Sequence, residues 1–181
     1  MSMTMHPDAA ALIERLELRP HPEGGFYREV YRSAATVQPA DGRPVRSALT
    51  TIYFLLPDGA HSRWHRVTSD EVWHLYEGGP LELYQTAPDI ATLDRIVLSP
   101  ASTLGSASLG QGASLGQGAS SGPVHTVPAG WWQAARSVGP YALAGCTVGP
   151  GFDFADFSFL REAPDSLARL RRIDAALAEL A

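Results

Sequence analysis

Apolar and polar positions alternate through the middle of the chain in short runs, at the period of half-buried strands. Nine short runs read as strands, some alternating and others almost continuously apolar: 26–33 (FYREVYRS), 47–56 (SALTTIYFLL), 62–67 (SRWHRV), 71–77 (EVWHLYE), 81–87 (LELYQTA), 94–99 (DRIVLS), 123–127 (PVHTV), 131–138 (WWQAARSV) and 141–149 (YALAGCTVG). Aromatic and β-branched residues fill them, and Gly, Pro and Asp-Gly turn signals separate them. The predicted class is mainly β, a sandwich or barrel of short strands. Helices are predicted at both ends. Pro7 and Asp8, the expected cap, precede a face of Leu12, Ile13 and Leu16. Asp165 follows Pro164 as a second expected cap, and Leu167, Leu170, Ile173, Leu177 and Leu180 then recur at helical spacing.

Residues 99–122 depart from this pattern. They contain no charged or aromatic residue and repeat SLGQGA at 108–113 and 114–119. Such a segment buries too little apolar surface to offset its own ordering, so it reads as a lengthened, mobile loop. The whole chain, 1–181, suits one domain.

Composition then removes several function classes. A net charge of −5 and a pI of about 5.6 argue against a nucleic-acid or anionic-membrane partner. No run approaches the roughly 20 apolar residues of a membrane span, and MSMTMHPDAA lacks a basic start followed by an apolar run. The expected location is therefore the cytoplasm. Cys146 is the sole cysteine, which excludes an intrachain disulfide or a thiolate metal cluster; within YALAGCTV it reads as a buried, inert thiol. All 14 basic residues are arginine, so no lysine is present to form a Schiff base.

Two stretches carry the candidate chemistry. In GAHSRWHRVTSDEVWHLYEG, Gly59 is followed after five residues by His65, then by Glu71 and Gly78. In GPVHTVPAGWWQAARS, Gly122 is followed after five residues by Pro128-Ala129-Gly130, then by Gln133 and Ser137. The pair resembles the two cupin motifs, Gly-x5-His-x-His-x3–4-Glu-x6-Gly and Gly-x5-Pro-x-Gly-x2-His-x3-Asn. The resemblance implies an antiparallel jelly-roll β-barrel. In a full cupin motif, three histidines and one glutamate hold a divalent metal. Here Val67 and Gln133 stand at two of the histidine positions and Ser137 at the Asn position. The blocks HPEGGFYREVYRS, SRWHRVTSDEVWHLYEGGPLEL, VPAGWWQAAR and VGPGFDFADFSF further resemble a single-domain cupin family of unknown function. That resemblance implies a compact homodimeric barrel, similar in fold to nucleotide-keto-sugar epimerases and seed-storage cupins.

Strand alternation sets the expected pocket. An inward Glu71 brings Trp73 with it and turns His74 and Tyr76 away. An inward Gln133 brings Trp131, and an inward His65 brings Arg63 and Val67. His65 and Glu71 are the candidate catalytic pair; Gln133, Trp73, Trp131, Arg63, Arg28 and Tyr53 are the candidate binding residues. Arg28 and Arg32 are placed on one strand face, where they could hold an anion or merely meet solvent. His21 and Glu23 either line the mouth or hold a turn. Three functions compete. An isomerase or epimerase acting on a small polar or sugar-like ligand would use His65 as base, Glu71 to orient it and Tyr53 or Tyr84 as acid. A dioxygenase or lyase would hold a divalent metal on His65, Glu71 and Gln133. A ligand-binding cupin would catalyse nothing.

Overall fold

The computed structural model describes residues 5–103 and 122–181. Most of the predicted loop, with both copies of its repeat, lies outside the described residues. Each of the nine runs forms a strand: β2 (Phe26–Arg32), β5 (Thr50–Pro57), β6 (His61–Val67), β7 (Asp70–Gly78), β8 (Leu81–Thr86), β9 (Asp94–Leu98), β10 (Val124–Val127), β11 (Trp132–Ser137) and β12 (Tyr141–Gly149). The alternation does not announce β1 (Arg19–Pro20), β3 (Thr36–Val37), β4 (Arg46–Ser47) or β13 (Phe157–Phe159). Two or three residues cannot display a period of two.

The strands make two antiparallel sheets in the jelly-roll arrangement. One has the order β1-β2-β5-β12-β7-β10 and the other β13-β6-β11-β8-β9; β3 and β4 form a separate ribbon. Phe54, Leu56, Trp73 and Leu75 from the first sheet meet Leu81, Leu83, Leu98 and Ala135 from the second in the main core. Their burial is the dominant favourable contribution to the fold, about 25 cal/mol for each Å² of apolar surface removed from water.

Each sheet also has a covered outer face. Helix α1 (Pro7–Arg15) lays Ala9 and Leu12 against Leu55 and Leu143. Its cap is His6, whose side chain accepts from the Asp8 amide, because Pro7 takes the first helical position and moves Asp8 into the first turn. At the other end α2 (Pro164–Ile173) starts without a side-chain cap, and Asp165 lies in its first turn. Asp174 interrupts the leucine repeat by capping a second short helix, α3 (Ala175–Ala178). Leu167, Leu170, Leu177 and Leu180 pack with Trp64, Tyr84 and Trp132, whereas Ile173 faces outward. No helix among the described residues is long and apolar enough to cross a membrane.

Candidate functional site

His65 lies on β6 directly opposite Gln133 on β11. Glu71 lies on β7 opposite Val127 on β10 and Val148 on β12. The two motifs therefore meet at one end of the jelly roll, beside a cavity of about 340 Å³. His21, Glu23, His65, Val67, Glu71 and Cys146 line its inner wall, and Glu29, Arg32, Asp153, Phe154 and Phe157 lie toward its mouth.

Glu23 reaches this wall through the turn that follows His21. Gly24 has φ +116°, and a Cβ there would stand 2.2 Å from the His61 carbonyl oxygen, so only glycine lets the turn press against β6. The Glu23 carbonyl accepts from the Arg63 amide at 2.7 Å. In its side chain, Oε1 accepts from Ser62 Oγ at 3.0 Å and Oε2 lies 3.3 Å from His65 Nε2. His65 Nδ1 donates to the Arg63 carbonyl at 2.7 Å, which leaves the Nε2 lone pair facing Glu23 in the neutral ring. The imidazole also stacks on Phe157.

Gln133 is fully buried and oriented by its neighbours. Trp73 Nε1 donates to its Oε1 at 2.9 Å, and its Nε2 donates to Glu71 Oε2 at 2.5 Å. An indole N–H can only donate, so Trp73 dictates which end of the amide meets Glu71. The Cys146 thiol lies beside Glu71 and pulls its carboxyl slightly down, against the larger effect of burial. The sequence places Cys146 in the core as an inert thiol; it is buried, but it also borders the cavity.

Among the described residues no arginine pairs with these carboxyls. Burial pushes Glu23 up to about 8, against the smaller opposing effect of its bond from Ser62. Burial likewise pushes Glu71 up to about 7. His65 is held below its ordinary value by burial, and His21 is brought down to about 4 by burial and the nearby His65. Near neutral pH the wall thus presents two uncharged imidazoles, a protonated Glu23 and a partly ionised Glu71.

The other sequence candidates separate. Trp73 stands behind the wall, as the support of Gln133. Trp131 packs against the main core instead of lining the cavity. Arg63 contributes its backbone to the wall, while its guanidinium turns to the Pro22 carbonyl. Tyr53 packs beneath α1, and Tyr84 donates to Glu82, two residues before it on β8, so neither hydroxyl reaches the cavity. Arg28 pairs with Glu17 outside it. The shared face expected for Arg28 and Arg32 fails because a bulge at Val30 shifts the register between Glu29 and Tyr31. Tyr27, Glu29 and Arg32 consequently share the cavity face.

His65, Glu71 and Gln133 as placed do not fit a divalent ion. The Gln133 oxygen is taken by Trp73, and the amide presents hydrogens, not a lone pair, toward Glu71. Among the described residues no three His, Cys, Asp or Glu side chains are grouped to hold a metal. A centre built on His65 and Glu71 would need its remaining donors from elsewhere.

Comparison with known proteins agrees with the architecture. A hypothetical protein from Leishmania major is 31% identical, with 95% of each chain covered and a TM-score of 0.69. A protein from Shewanella oneidensis is 33% identical, with 96% of each chain covered and a TM-score of 0.72. An oxalate decarboxylase mutant from Bacillus subtilis shares the fold at 13% identity and a TM-score of 0.51, over 78% of this chain and 29% of the decarboxylase. No curated protein matches the chain. The family profile described as Cupin superfamily (DUF985) matches residues 10–160, and the chain belongs to that family.

Proposed function

We propose that this cupin binds a small polar molecule and moves a proton on it, in the manner of an isomerase or epimerase. One observation carries the reading. Two buried carboxyls with no arginine partner among the described residues, Glu23 and Glu71, border one cavity with a neutral imidazole, and both titrate close to neutral pH. A general base or acid is most effective when its pKa lies near the working pH. Groups whose environments separate their pKa values divide the base and acid roles between them.

The geometry favours roles different from those the sequence suggests. Glu71, ionised in part and held by the Gln133 amide, takes a proton from a carbon beside a carbonyl. Glu23, still protonated, gives one to the oxygen of the resulting enolate. At rest that proton is hydrogen-bonded to His65 Nε2, and it turns from the imidazole to the substrate oxygen as the enolate forms. Glu71 then returns its proton to carbon, at the same position after the enol has turned over or at the neighbouring one, while Glu23 takes back the enol O–H proton, which completes an epimerisation or an isomerisation.

The test is hydrogen exchange. Neutral keto-sugars and amino ketones are incubated with the protein in D2O, and loss of C–H signal beside the carbonyl is followed by NMR. Exchange with the wild type, lost in a folded Glu71→Gln variant, is the expected result. Exchange that survives Glu71→Gln would remove Glu71 as the base. A compound that binds and never exchanges would make the chain a non-catalytic binding cupin. Near-stoichiometric divalent metal in untagged protein would instead favour a dioxygenase or lyase. We also expect a homodimer, on the resemblance to dimeric relatives, and sedimentation would measure it.

A further inference from the structure

The polar side chains around the cavity are unevenly charged. Among the described residues four carboxyls line it, those of Glu23, which keeps its proton near neutral pH, and of Glu29, Glu71 and Asp153, against the guanidinium of Arg32. That guanidinium is already engaged. Its Nε and Nη2 donate to the two Glu29 oxygens at 2.9 and 2.7 Å, and both terminal nitrogens donate to the Phe152 carbonyl at 3.3 and 3.2 Å. An anion entering the cavity would therefore meet carboxyls; Arg32 has one terminal N–H left to offer it, and a bidentate grip would require breaking the pair with Glu29. His21 and His65 offer no charge in compensation, since burial keeps both rings neutral.

The remaining walls are aromatic and aliphatic. Phe157 lies flat on His65, with ring centroids 5.3 Å apart, and Phe152 and Phe154 meet edge to face at 5.0 Å. Phe154 is 56% exposed at the mouth, which leaves part of its ring open to an entering molecule. Ring faces beside carboxyls attract cations twice over, through their quadrupoles and through charge.

We infer that the cavity takes a small organic amine, its ammonium group against the Glu71 carboxylate and its apolar body against Phe152, Phe154 and Phe157. This rests on the cavity being the ligand site, as in the reading above, but not on any proton being moved. It narrows the ligand class, setting aside phosphorylated sugars and keto acids in favour of cationic compounds.

The experiment uses three probes of matched shape: benzylammonium, benzyl alcohol and benzoate. Their affinities for the intact protein are measured by calorimetry at one pH and ionic strength. Benzylammonium is expected to bind about tenfold or more tightly than benzoate, with benzyl alcohol between them. Glu71→Gln should weaken benzylammonium about fivefold and leave benzyl alcohol unchanged within about twofold. Glu29→Gln, at the half-exposed mouth, releases Arg32 and should narrow the gap by strengthening benzoate. Benzoate binding as tightly as benzylammonium would overturn the inference, and so would binding by none of the three. Failure of the proton-transfer reading is separate: it is the absence of C–H exchange in D2O, whatever the charge preference.

Discussion

Glu71 and Glu82 are buried to nearly the same degree, 7% and 4% exposed, on opposite sheets. Burial raises both carboxyls. Around Glu82 that effect is outweighed by bonds from Tyr84, Arg95 and Arg136, which bring it down to about 2. Among the described residues Glu71 receives the Gln133 amide and no cation, and it stays up at about 7. Low exposure alone does not determine what an acid does: Glu71 lies in the interior, whereas Glu82 is covered by the half-exposed guanidiniums of Arg95 and Arg136. A carboxyl held by two guanidiniums is fixed in charge and serves the fold. One met only by neutral donors keeps a proton that can be exchanged.

The sharpest way to break this comparison is to neutralise each acid in turn. Glu71→Gln should lower the rate of C–H exchange by about 100- to 10,000-fold, whereas Glu82→Gln should leave the exchange rate per folded molecule unaltered. Equal losses in both would mean that the two environments do not differ in function.

The next effect is on stability against pH. Glu71 has its folded value raised from 4.5 to about 7. Its contribution is fully present below 4.5 and is lost as pH rises through about 7, on the order of 3 kcal/mol in all. Glu82 is lowered to about 2, so its contribution is present above 4.5 and lost as pH falls through about 2. Urea unfolding at pH 5 and at pH 8.5 should show the wild type losing stability toward the alkaline side. In Glu71→Gln that loss should be smaller by on the order of 3 kcal/mol. An unchanged loss would place the titrating group elsewhere.

Glu82→Ala should cost about 2–3 kcal/mol by thermal or urea unfolding. The lower end is favoured because Arg95 and Arg136, at 50% and 49% side-chain exposure, can return to water. The smallest effect belongs to Trp73→Phe. Loss of the indole donor should cost about 1–2 kcal/mol by leaving the Gln133 oxygen unpaired. It also frees the amide to turn, so the base limb of a pH–rate profile should move to higher pH. A purely structural Trp73 would lower stability without moving that limb.

Much of the fold was legible in the sequence, because strand alternation and turn residues are local signals. The nine runs match their strands with boundaries shifted by three residues at most. His65, Glu71 and Gln133 were legible through motif spacing. Glu23 was seen only as a residue of a turn, since its partners Ser62 and His65 lie 39 and 42 positions further along the chain. The local clue was the pair of glycines behind it, one of which the close approach to β6 requires. Arg32 was assigned to the wrong neighbours because one extra residue, Val30, breaks the alternation on which the assignment relied. Tyr53 and Tyr84 had the right chemistry for an acid, but nothing local in the sequence could say which sheet face would carry them.

The Trp73–Gln133 bond also bears on how this site could change over generations. Glutamine is a single-nucleotide step from histidine, so the residue expected at position 133 of a full cupin motif is within easy genetic reach. A histidine placed there would still face the indole N–H, which can be satisfied only by a ring nitrogen that accepts. The other nitrogen would then carry the proton and point it at Glu71, much as the amide does now. That replacement would be nearly silent, and a lone pair would become free for a metal only after Trp73 had changed as well. The two positions are thus locked together, and a lineage with this pair would have to lose the tryptophan before the histidine could confer anything new.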